Sequence, residues 1–540
     1  MPITSAMSPV HASRRVCASL LVALAMAGTA RAATSPAEAS RFLSQATLGA
    51  DWEEIQRTSR IGFDAWLREQ FARPIGYQQP LIDRRLRMGL EVTPEHRRWA
   101  WWEQVLEGPD PLRQRVALAL SEIFVVSDAN DTVSQSPQGL ANYYDMLLRN
   151  AFGNYRDLLR DVTLHPIMGA YLSHLRNEKS YPAIGRFPDE NYAREIMQLF
   201  SIGLFQLKQD GTFVRNGAGQ PIPTYDNDDI TQFAKIFTGL AFDGADRNFH
   251  QGEAEWTRPM RMYEEFHEPG VKRLLRGRIV PAGQSGMRDV EAAVDCLFRH
   301  PNVGPFIARR LIQRLVTSNP SPGYVARVAA KFANNGRGVR GDLKAVVRAI
   351  LVDPEARRRP VGSEIGRGML RESFLRRVHL ARAFDAASLA GTTPIDDGGA
   401  PETFGQRPVS SPTVFNFFLP DHQPNGPIGD AGLFAPEFQI ITAVTAISSA
   451  NALSGQIRGA MNYDPANALE VRLDLTDEIA IASNPNALLN RLDLILMAGT
   501  MSEPMREVLL RALTSIDDPD ERVRTAIELI AIAPEYAVVK

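Results

Sequence analysis

The stretch from Phe187 to Leu204 holds the densest group of side chains that could do chemistry. Glu190, Asn191, Arg194 and Glu195 supply two carboxylates, an amide and a guanidinium within a short span. Carboxylates of this kind bind divalent metals or act as general acids and bases, and an arginine beside them would hold a carboxylate in place. If these residues face a cleft, they predict a site for a metal or a polar substrate.

A helix would position these residues. At about 100° per residue, the apolar side chains of this stretch fall on one arc, and its polar side chains, Glu195 among them, fall on the opposite arc. The alternative is a solvent-exposed face, in which Asp189 caps the helix and Glu190 and Arg194 form an ordinary surface pair. The pattern is compatible with both interpretations.

Two other patterns have structural explanations beside functional ones. Asp226, Asp228 and Asp229 could bind calcium, but the glycine and distal glutamate of an EF-hand loop are missing, so helix capping is favoured. The glycines of Gly336–Gly341 have the spacing of a dinucleotide-binding loop. This loop follows a helical segment and precedes Asp342, which favours a turn between helices.

Composition and missing motifs argue against several classes of protein: serine hydrolases, common zinc proteases, nucleotide enzymes, covalent c-type haem proteins and nucleic-acid-binding proteins. The sequence has no Gly-x-Ser-x-Gly, His-Glu-x-x-His, phosphate-loop or Cys-x-x-Cys-His motif. A formal net charge of −2 argues against nucleic-acid binding. A long amphipathic helix is predicted from Glu364 to Phe384. The arginines from Arg357 to Arg382 form a basic run, which is interpreted as the solvent face of an amphipathic helix. A patch for an anionic cell-surface polymer is the alternative.

The first 32 residues have the features of a secretory signal peptide. Arg14 and Arg15 precede a short apolar run, and Ala30-Arg31-Ala32 resembles a cleavage site. The arginine pair also leaves twin-arginine export open. We therefore expect a periplasmic or secreted protein cleaved near Ala32. Cys296 is the one cysteine after that cleavage, so no intramolecular disulfide is expected.

Most of the remaining chain has helical periodicity, which predicts a mainly α fold. We expect a large multi-helix globular body over residues 33–540, as a single domain without a membrane-spanning segment. A small β-hairpin insertion is predicted at residues 207–225, where glycines and prolines interrupt the helical pattern. Residues 241–286 and 392–433 are predicted to form two long ordered loops.

Several segments together resemble the exported bacterial family catalogued as domain of unknown function 1800. The resemblance is carried by FPDENYAREIMQLFSIGL, PTYDNDDITQFAKIFTGL, FHEPGVKRLLRGRIVPAG, FIARRLIQRLV and SSPTVFNFFLPDHQP, with SRFLSQATLGA near the start and APEYAV near the end. It covers nearly the whole mature chain. It implies a mainly helical protein outside the cytoplasm, with no established reaction. It also implies an exported partner similar to sulfatases and alkaline phosphatases.

Matched residue by residue, the resemblance adds His267 and Lys272 to the candidate site. By residue type alone, a single loop histidine such as His267 is more often solvated than catalytic.

Two hypotheses about function follow. The first is an accessory or binding protein for the exported partner or an envelope polymer, in which the polar residues form a structural network. The second is a hydrolase or lyase on an extracytoplasmic polymer, assisted by a divalent metal whose identity the sequence does not reveal. In that enzyme, Glu190 or Glu195 would be the base or a metal ligand and His267 the acid or a ligand. Arg194 or Lys272 would stabilise negative charge.

Overall fold

Local start signals explain where the N-terminal helices begin. In a computed structural model, the chain is described at residues 34–244, 248–359, 366–462, 464, 466 and 468–539. The predicted signal peptide lies outside these residues. Ser35 accepts a hydrogen bond from the Glu38 N–H at 3.2 Å, and Pro36 occupies the first helical position. The first ten helices are α1 (Pro36–Ala46), α2 (Trp52–Ile61), α3 (Phe63–Ala72), α4 (Gln79–Arg87), α5 (Pro94–Glu107), α6 (Pro111–Ser121), α7 (Asp131–Ser134), α8 (Pro137–Asn150), α9 (Tyr155–Leu164) and α10 (Pro166–Tyr171).

The middle of the chain mixes helices with short antiparallel strands. The predicted hairpin insertion is confirmed by bridges that pair Phe205 with Pro223, Leu207 with Phe213, and Arg215 with Pro221. β1 pairs with β2, and β3 pairs with β4. The elements are α11 (Asn191–Gln198), α12 (Asn227–Ile236), β1 (Leu240–Ala241), β2 (Arg261–Met262), β3 (Lys272–Leu274) and β4 (Arg278–Val280).

The segment from Gly286 to Arg357 contains five helices, and a short strand begins at Met369. Asp342 caps α16, so the glycine-rich loop Gly336–Gly341 joins two helices, as predicted. The elements are α13 (Gly286–Phe298), α14 (Val303–Leu315), α15 (Pro322–Ala333), α16 (Leu343–Val352), α17 (Pro354–Arg357), β5 (Met369–Leu370) and α18 (Ser373–Ala383).

The helix predicted from Glu364 to Phe384 is shorter than expected. The first residues of this prediction lie outside the described part of the chain, and Met369–Leu370 forms β5 instead of helix. The prediction of a solvent-facing arginine side is wrong for Arg371, Arg376 and Arg377, which are buried. The core covers α18 all round because other elements, including α19, α21 and α23, pack against it.

The C-terminal segment returns to the start of the protein. α23 packs against α1, α2 and α18, and β6 pairs with β5 in antiparallel register. The elements are α19 (Ala400–Phe404), α20 (Pro427–Asp430), α21 (Ala443–Arg458), α22 (Thr476–Ile481), α23 (Pro485–Met497), α24 (Glu503–Thr514), α25 (Pro519–Ile532), α26 (Pro534–Ala537) and β6 (Val538–Val539).

The fold is mainly α with small two-stranded antiparallel sheets, as predicted. One hydrophobic core cluster extends from α1 to α26, and residues 34–540 group as one compact unit. Among the described residues, no helix combines the length and apolar character needed to cross a membrane. The core elements that matter for the candidate site are α11, α12 and α13, since α12 packs against both of the others.

Candidate functional site

The helix that carries the predicted site is shorter than its pattern indicated. α11 spans Asn191–Gln198, whereas the sequence predicted a helix from Phe187 to Leu204. Pro188 disfavours helical geometry at the residue before it, and the Asn191 N–H is capped by Asp189 Oδ1 at 2.8 Å. At the other end, Gly203 adopts a φ of +70° and its N–H donates to the Met197 carbonyl at 3.0 Å, which closes the helix.

The polar edge of α11 consists of Glu190, Asn191, Arg194 and Gln198, all at least partly exposed. The side chains of Glu190 and Arg194 are 40% and 43% exposed, and Arg194 Nη2 lies 3.7 Å from Glu190 Oε2. Glu190 Oε1 also accepts a hydrogen bond from Thr231 Oγ1 on α12 at 2.7 Å. The surface-pair interpretation therefore holds for Glu190 and Arg194, and such pairs stabilise little.

Glu195 differs from its neighbours because it points inward. The residue is 5% exposed, and its Oε2 atom has no hydrogen-bond partner among the described residues. Burial raises the pKa of Glu195 to about 7, against the opposing field of Arg194. The polar arc predicted from periodicity is thus wrong at Glu195. This residue lies at the border of the two arcs and is covered by packing.

Two tyrosines are close enough to Glu195 to sense its charge. Burial raises the pKa of Tyr171 to about 12, with a hydrogen bond to Ser411 opposing and the charge of Glu195 adding to the effect. Burial also raises the pKa of Tyr225 to about 12, and Glu195 adds to this shift. The Tyr225 hydroxyl donates to Gln198 Oε1 at 3.3 Å. The charge of Glu195 therefore acts on two tyrosines, Tyr171 and Tyr225, that sequence reasoning did not bring to the candidate site.

His267 and Lys272 lie in a second, fully buried network. His267 Nδ1 lies 2.9 Å from the Thr238 carbonyl oxygen, and its Nε2 lies 3.0 Å from Asp289 Oδ2 and 3.2 Å from Lys272 Nζ. Lys272 Nζ also donates to Asp289 Oδ2 and to the Glu268 carbonyl. The network joins the loop that contains His267 to the end of α12 and the start of α13.

Sequence reasoning missed Asp289, which holds this network together. Asp289 is in the first turn of α13 and is fully buried. Although burial alone would raise its pKa, hydrogen bonds from His267, Lys272 and Gln284 hold the pKa of Asp289 below its usual value. An acidic residue in a first helical turn is a common capping feature. Only the fold shows that it is the partner of His267.

The structure does not bring the six predicted site residues into one group. No hydrogen bond or ion pair within the described part of the chain joins His267 or Lys272 to Glu190 or Glu195. In the same part of the chain, no three His, Cys, Asp or Glu side chains are arranged to hold a metal ion. Glu190, Glu195 and His267 therefore do not form a three-ligand metal site in the described part of the chain. Asp226 and Asp229 form a capping box on α12, which confirms their capping role.

Exposed apolar side chains flank the polar edge of α11 along the chain. The 181–187 turn, closed by a bridge between Tyr181 and Arg186, comes directly before α11. The 204–224 hairpin, whose Thr224 N–H donates to the Leu204 carbonyl at 3.0 Å, follows it. Each segment exposes large apolar side chains: Tyr181, Ile184 and Phe187 in the turn, and Leu204, Phe205 and Phe213 in the hairpin.

Comparison with known proteins places this architecture in a family. No curated protein and no solved structure matches the chain. The sequence profile described as "Protein of unknown function (DUF1800)" matches residues 41–538. These residues include the polar edge of α11, Glu195 and the network of His267, Lys272 and Asp289. The chain therefore belongs to the DUF1800 family.

Proposed function

We propose that this protein is an extracytoplasmic binding protein whose ligand is an envelope polysaccharide. The observation that carries this proposal is the exposed polar edge of α11, flanked along the chain by two segments that expose aromatic rings. Phe187, which is 68% exposed, precedes Glu190 by three residues, and Phe205 follows Gln198 by seven. Large exposed apolar side chains grouped with polar ones mark binding surfaces on proteins.

The chemistry of this surface suits an extended sugar polymer. Aromatic rings stack on the C–H faces of pyranose rings, and the amides of Asn191 and Gln198 supply both donors and acceptors for hydroxyl groups. The eight residues of α11 span about 12 Å, comparable with two or three sugar units. Glu190 and Arg194 largely neutralise each other, which favours a polymer of low charge.

An accessory role with an exported hydrolase is the form of this function that we propose. The sequence features of residues 1–32 support export, and the family resemblance implies a partner similar to sulfatases and alkaline phosphatases. In this role the protein would hold the polymer while the partner cleaves it. Co-purification with that hydrolase, with and without polymer, tests the association separately from polymer binding.

The polysaccharide proposal is tested by retention on insoluble and soluble polymers. We expect the purified protein to be retained by at least one envelope polysaccharide in pull-down or affinity electrophoresis. A double variant, Phe187→Ala with Phe213→Ala, removes one exposed ring from each flanking segment and should weaken retention about tenfold or more. Phe415→Ala, which removes an exposed ring elsewhere, is the matched control and should bind normally.

Two outcomes would contradict the polysaccharide proposal. One is retention of the double variant equal to that of the wild type. The other is a protein that captures the exported hydrolase but is retained by no polysaccharide, which would assign the surface to a protein partner.

A second candidate function is acid–base catalysis by Glu195 in a hydrolase or lyase. The observation that favours it is the buried carboxyl group of Glu195. Its Oε2 has no hydrogen-bond partner in the described part of the chain, burial raises its pKa to about 7, and its charge acts on Tyr171 and Tyr225. A glutamate with such a pKa serves well as a general acid or base. Glu195 would take a proton from water or from a sugar carbon, a tyrosine would protonate the leaving oxygen, and Arg194 would stabilise negative charge.

Polymer cleavage by variants tests this second function. If it is correct, Glu195→Gln and Tyr171→Phe should each lower the rate of chain cleavage at least a hundredfold while polymer retention is kept. Glu190→Gln, on the exposed edge, is the matched control and should retain most activity. Cleavage by Glu195→Gln at the wild-type rate would exclude Glu195 as the acid or base.

A further inference from the structure

The turn that ends α4 exposes three large apolar side chains within five residues. Leu86 is 41% exposed, Met88 is 68% exposed and Leu90 is 42% exposed. Neither hydrophobic cluster of the described residues includes any of these three side chains. Single exposed apolar residues are common on proteins, whereas contiguous ones mark surfaces that bind a partner.

Backbone hydrogen bonds hold the α4 turn, defined as residues 84–91, in a fixed shape. The Gly89 N–H donates to the Leu86 carbonyl at 2.9 Å, and the Leu90 N–H donates to the Arg85 carbonyl at 3.2 Å. Gly89 has a φ of +70°, the left-handed conformation with which many helices end. Because the backbone is already ordered, binding through this turn costs little conformational entropy.

A small core anchors the inner side of the α4 turn. Ile82 of α4, Ala100 of α5 and Ala141 of α8 form a buried cluster separate from the main core. Leu81, which precedes the turn, and Val92, which follows it, pack against this cluster. The turn is therefore fixed at both ends while its own apolar side chains face solvent.

The α4 turn is basic as well as apolar. It contains Arg84, Arg85 and Arg87 but one acidic residue, Glu91, so its local net charge is +2 in a chain whose formal net charge is −2. Arg84 and Arg87 are exposed, and no carboxylate in the described part of the chain forms an ion pair with any of the three arginines. Arg85 Nε donates to the backbone carbonyl of Glu91 at 2.7 Å.

Two further acidic residues near the turn are half-buried, in contrast to Arg84 and Arg87. Asp83 Oδ1 accepts a hydrogen bond from the Gln79 side-chain amide at 2.7 Å. On α5, burial raises the pKa of Glu103, with the charge of Glu107 adding to this effect and that of Arg84 opposing it. The charge that the turn presents to solvent is therefore mainly positive.

We propose that the α4 turn attaches this protein to the surface of an anionic phospholipid membrane. Leu86, Met88 and Leu90 would enter the boundary between the headgroups and the acyl chains, while Arg84 and Arg87 would lie level with the lipid phosphates. Apolar burial and charge attraction together hold a protein on a membrane more firmly than either does alone. This surface is separate from the polymer-binding surface, because it is built from different elements of the fold.

Co-sedimentation of residues 33–540 with lipid vesicles tests the proposal. This chain lacks the apolar run of the predicted signal peptide and keeps the whole compact unit. We expect binding to vesicles of phosphatidylglycerol and phosphatidylethanolamine, and binding about tenfold weaker or less to phosphatidylcholine vesicles, which carry no net charge. Added salt should weaken binding to the anionic vesicles, since it screens the arginines.

Two double variants separate the apolar and basic contributions. Leu86→Ser with Met88→Ser should weaken binding to the anionic vesicles about tenfold or more, because it removes most of the apolar area that enters the membrane. Arg84→Gln with Arg87→Gln should abolish the preference for anionic over neutral vesicles. All four side chains are exposed, so both variants should fold as the wild type does.

Val444→Ser with Ile447→Ser is the matched control. These side chains of α21 are 69% and 65% exposed, but residues 438–457 contain no charged side chain, so the control should bind vesicles normally. A wild-type protein that stays in solution beside anionic vesicles would overturn the proposal and leave the α4 turn to a protein partner. Equal vesicle binding by the Leu86→Ser, Met88→Ser variant and this control would also overturn it.

Discussion

Glu190 and Glu195 lie five residues apart at the same helix but in different environments. Glu190 is half exposed and accepts a hydrogen bond from Thr231, whereas Glu195 is buried, and one of its oxygens has no hydrogen-bond partner within the part of the chain that the structure describes. Their residue types were equally suggestive in the sequence. What separates them is the packing of neighbouring elements over Glu195, which withdraws its carboxyl group from water and makes ionisation costly.

The raised pKa of Glu195 predicts a pH-dependent effect of Glu195→Gln on stability. Below pH 4.5 the carboxyl group is protonated in both states, so the variant should unfold with nearly the wild-type free energy. As the pH rises from 4.5 to about 7, the unfolded chain loses this proton while the folded chain keeps it, and the wild type loses stability.

Above pH 7 the glutamine variant should therefore be more stable than the wild type, by about 2 to 3 kcal/mol in urea denaturation. Glu190→Gln, measured in the same way, should differ from the wild type by less than about 1 kcal/mol at every pH. A constant difference between Glu195→Gln and the wild type across this pH range would contradict the argument.

The His267, Lys272 and Asp289 network behaves at the residue scale as a buried ion pair with a histidine beside it. Asp289→Asn would leave the Lys272 ammonium buried without its counter-charge. We expect the free energy of unfolding to fall by about 3 to 5 kcal/mol. The double variant Lys272→Met with Asp289→Leu should recover most of this loss, since both charges are removed.

Asp295→Asn is the matched control on the same helix. Asp295 is partly exposed and pairs with Arg156 at 2.6 Å, so the loss in its variant should stay below about 1 kcal/mol. The structural interpretation of the network fails if Asp289→Asn unfolds with the free energy of the wild type.

At the scale of elements, prolines, glycines and strand pairing set the ends of the helices more than the amphipathic pattern did. The pattern around α11 extended into Phe187 and Leu204, but Pro188 and Gly203 confine the helix to Asn191–Gln198. Likewise the pattern of α18 extended toward Glu364, yet Met369–Leu370 pairs with β6. A partner strand 169 residues further along the chain has no local signature.

In the glycine-rich turn before α16, Phe298 packs closely against Gly341, whereas the space around Gly338 is open. Gly341 and Gly338 both adopt positive φ, at +76° and +82°. A Cβ atom on Gly341 would lie 2.5 Å from Phe298 Cε2, whereas a Cβ atom on Gly338 would meet no atom within 4 Å.

Both alanine variants should lose about 1 kcal/mol of stability from the left-handed backbone. Gly341→Ala should lose a further 1 to 3 kcal/mol, approximately, from crowding against Phe298. Thermal and urea denaturation of the two variants measures the difference directly. Equal losses would show that Phe298 moves aside at little cost.

At the scale of the whole molecule, the C-terminal segment stabilises a core that begins at α1. Tyr536 is buried, and its ring packs near His379 of α18 and Arg371. Trp101 and Trp102 of α5 also contact α18, at Phe374. Distant parts of the sequence thus meet at α18.

Tyr536→Ala should therefore lower the free energy of unfolding by about 3 to 5 kcal/mol. Because the core is continuous, tryptophan fluorescence and far-ultraviolet circular dichroism should report one shared transition at lower denaturant. Ile532→Ala, which shortens a partly exposed side chain nearby, should change stability by less than about 1 kcal/mol. A fluorescence transition left at the wild-type midpoint would show that the C-terminal segment unfolds separately.

The sequence by itself determined the mainly α fold, the hairpin insertion, the capping roles of Asp226 and Asp229, and the family. These features depend on short-range signals: periodicity, turn residues, capping side chains and contiguous motifs. Only the tertiary structure decided that Glu195 is buried, that Asp289 joins His267 and Lys272, and that Leu86, Met88 and Leu90 remain exposed. Burial and charge pairing depend on contacts between residues far apart in the chain, and such contacts exist only after the helices pack.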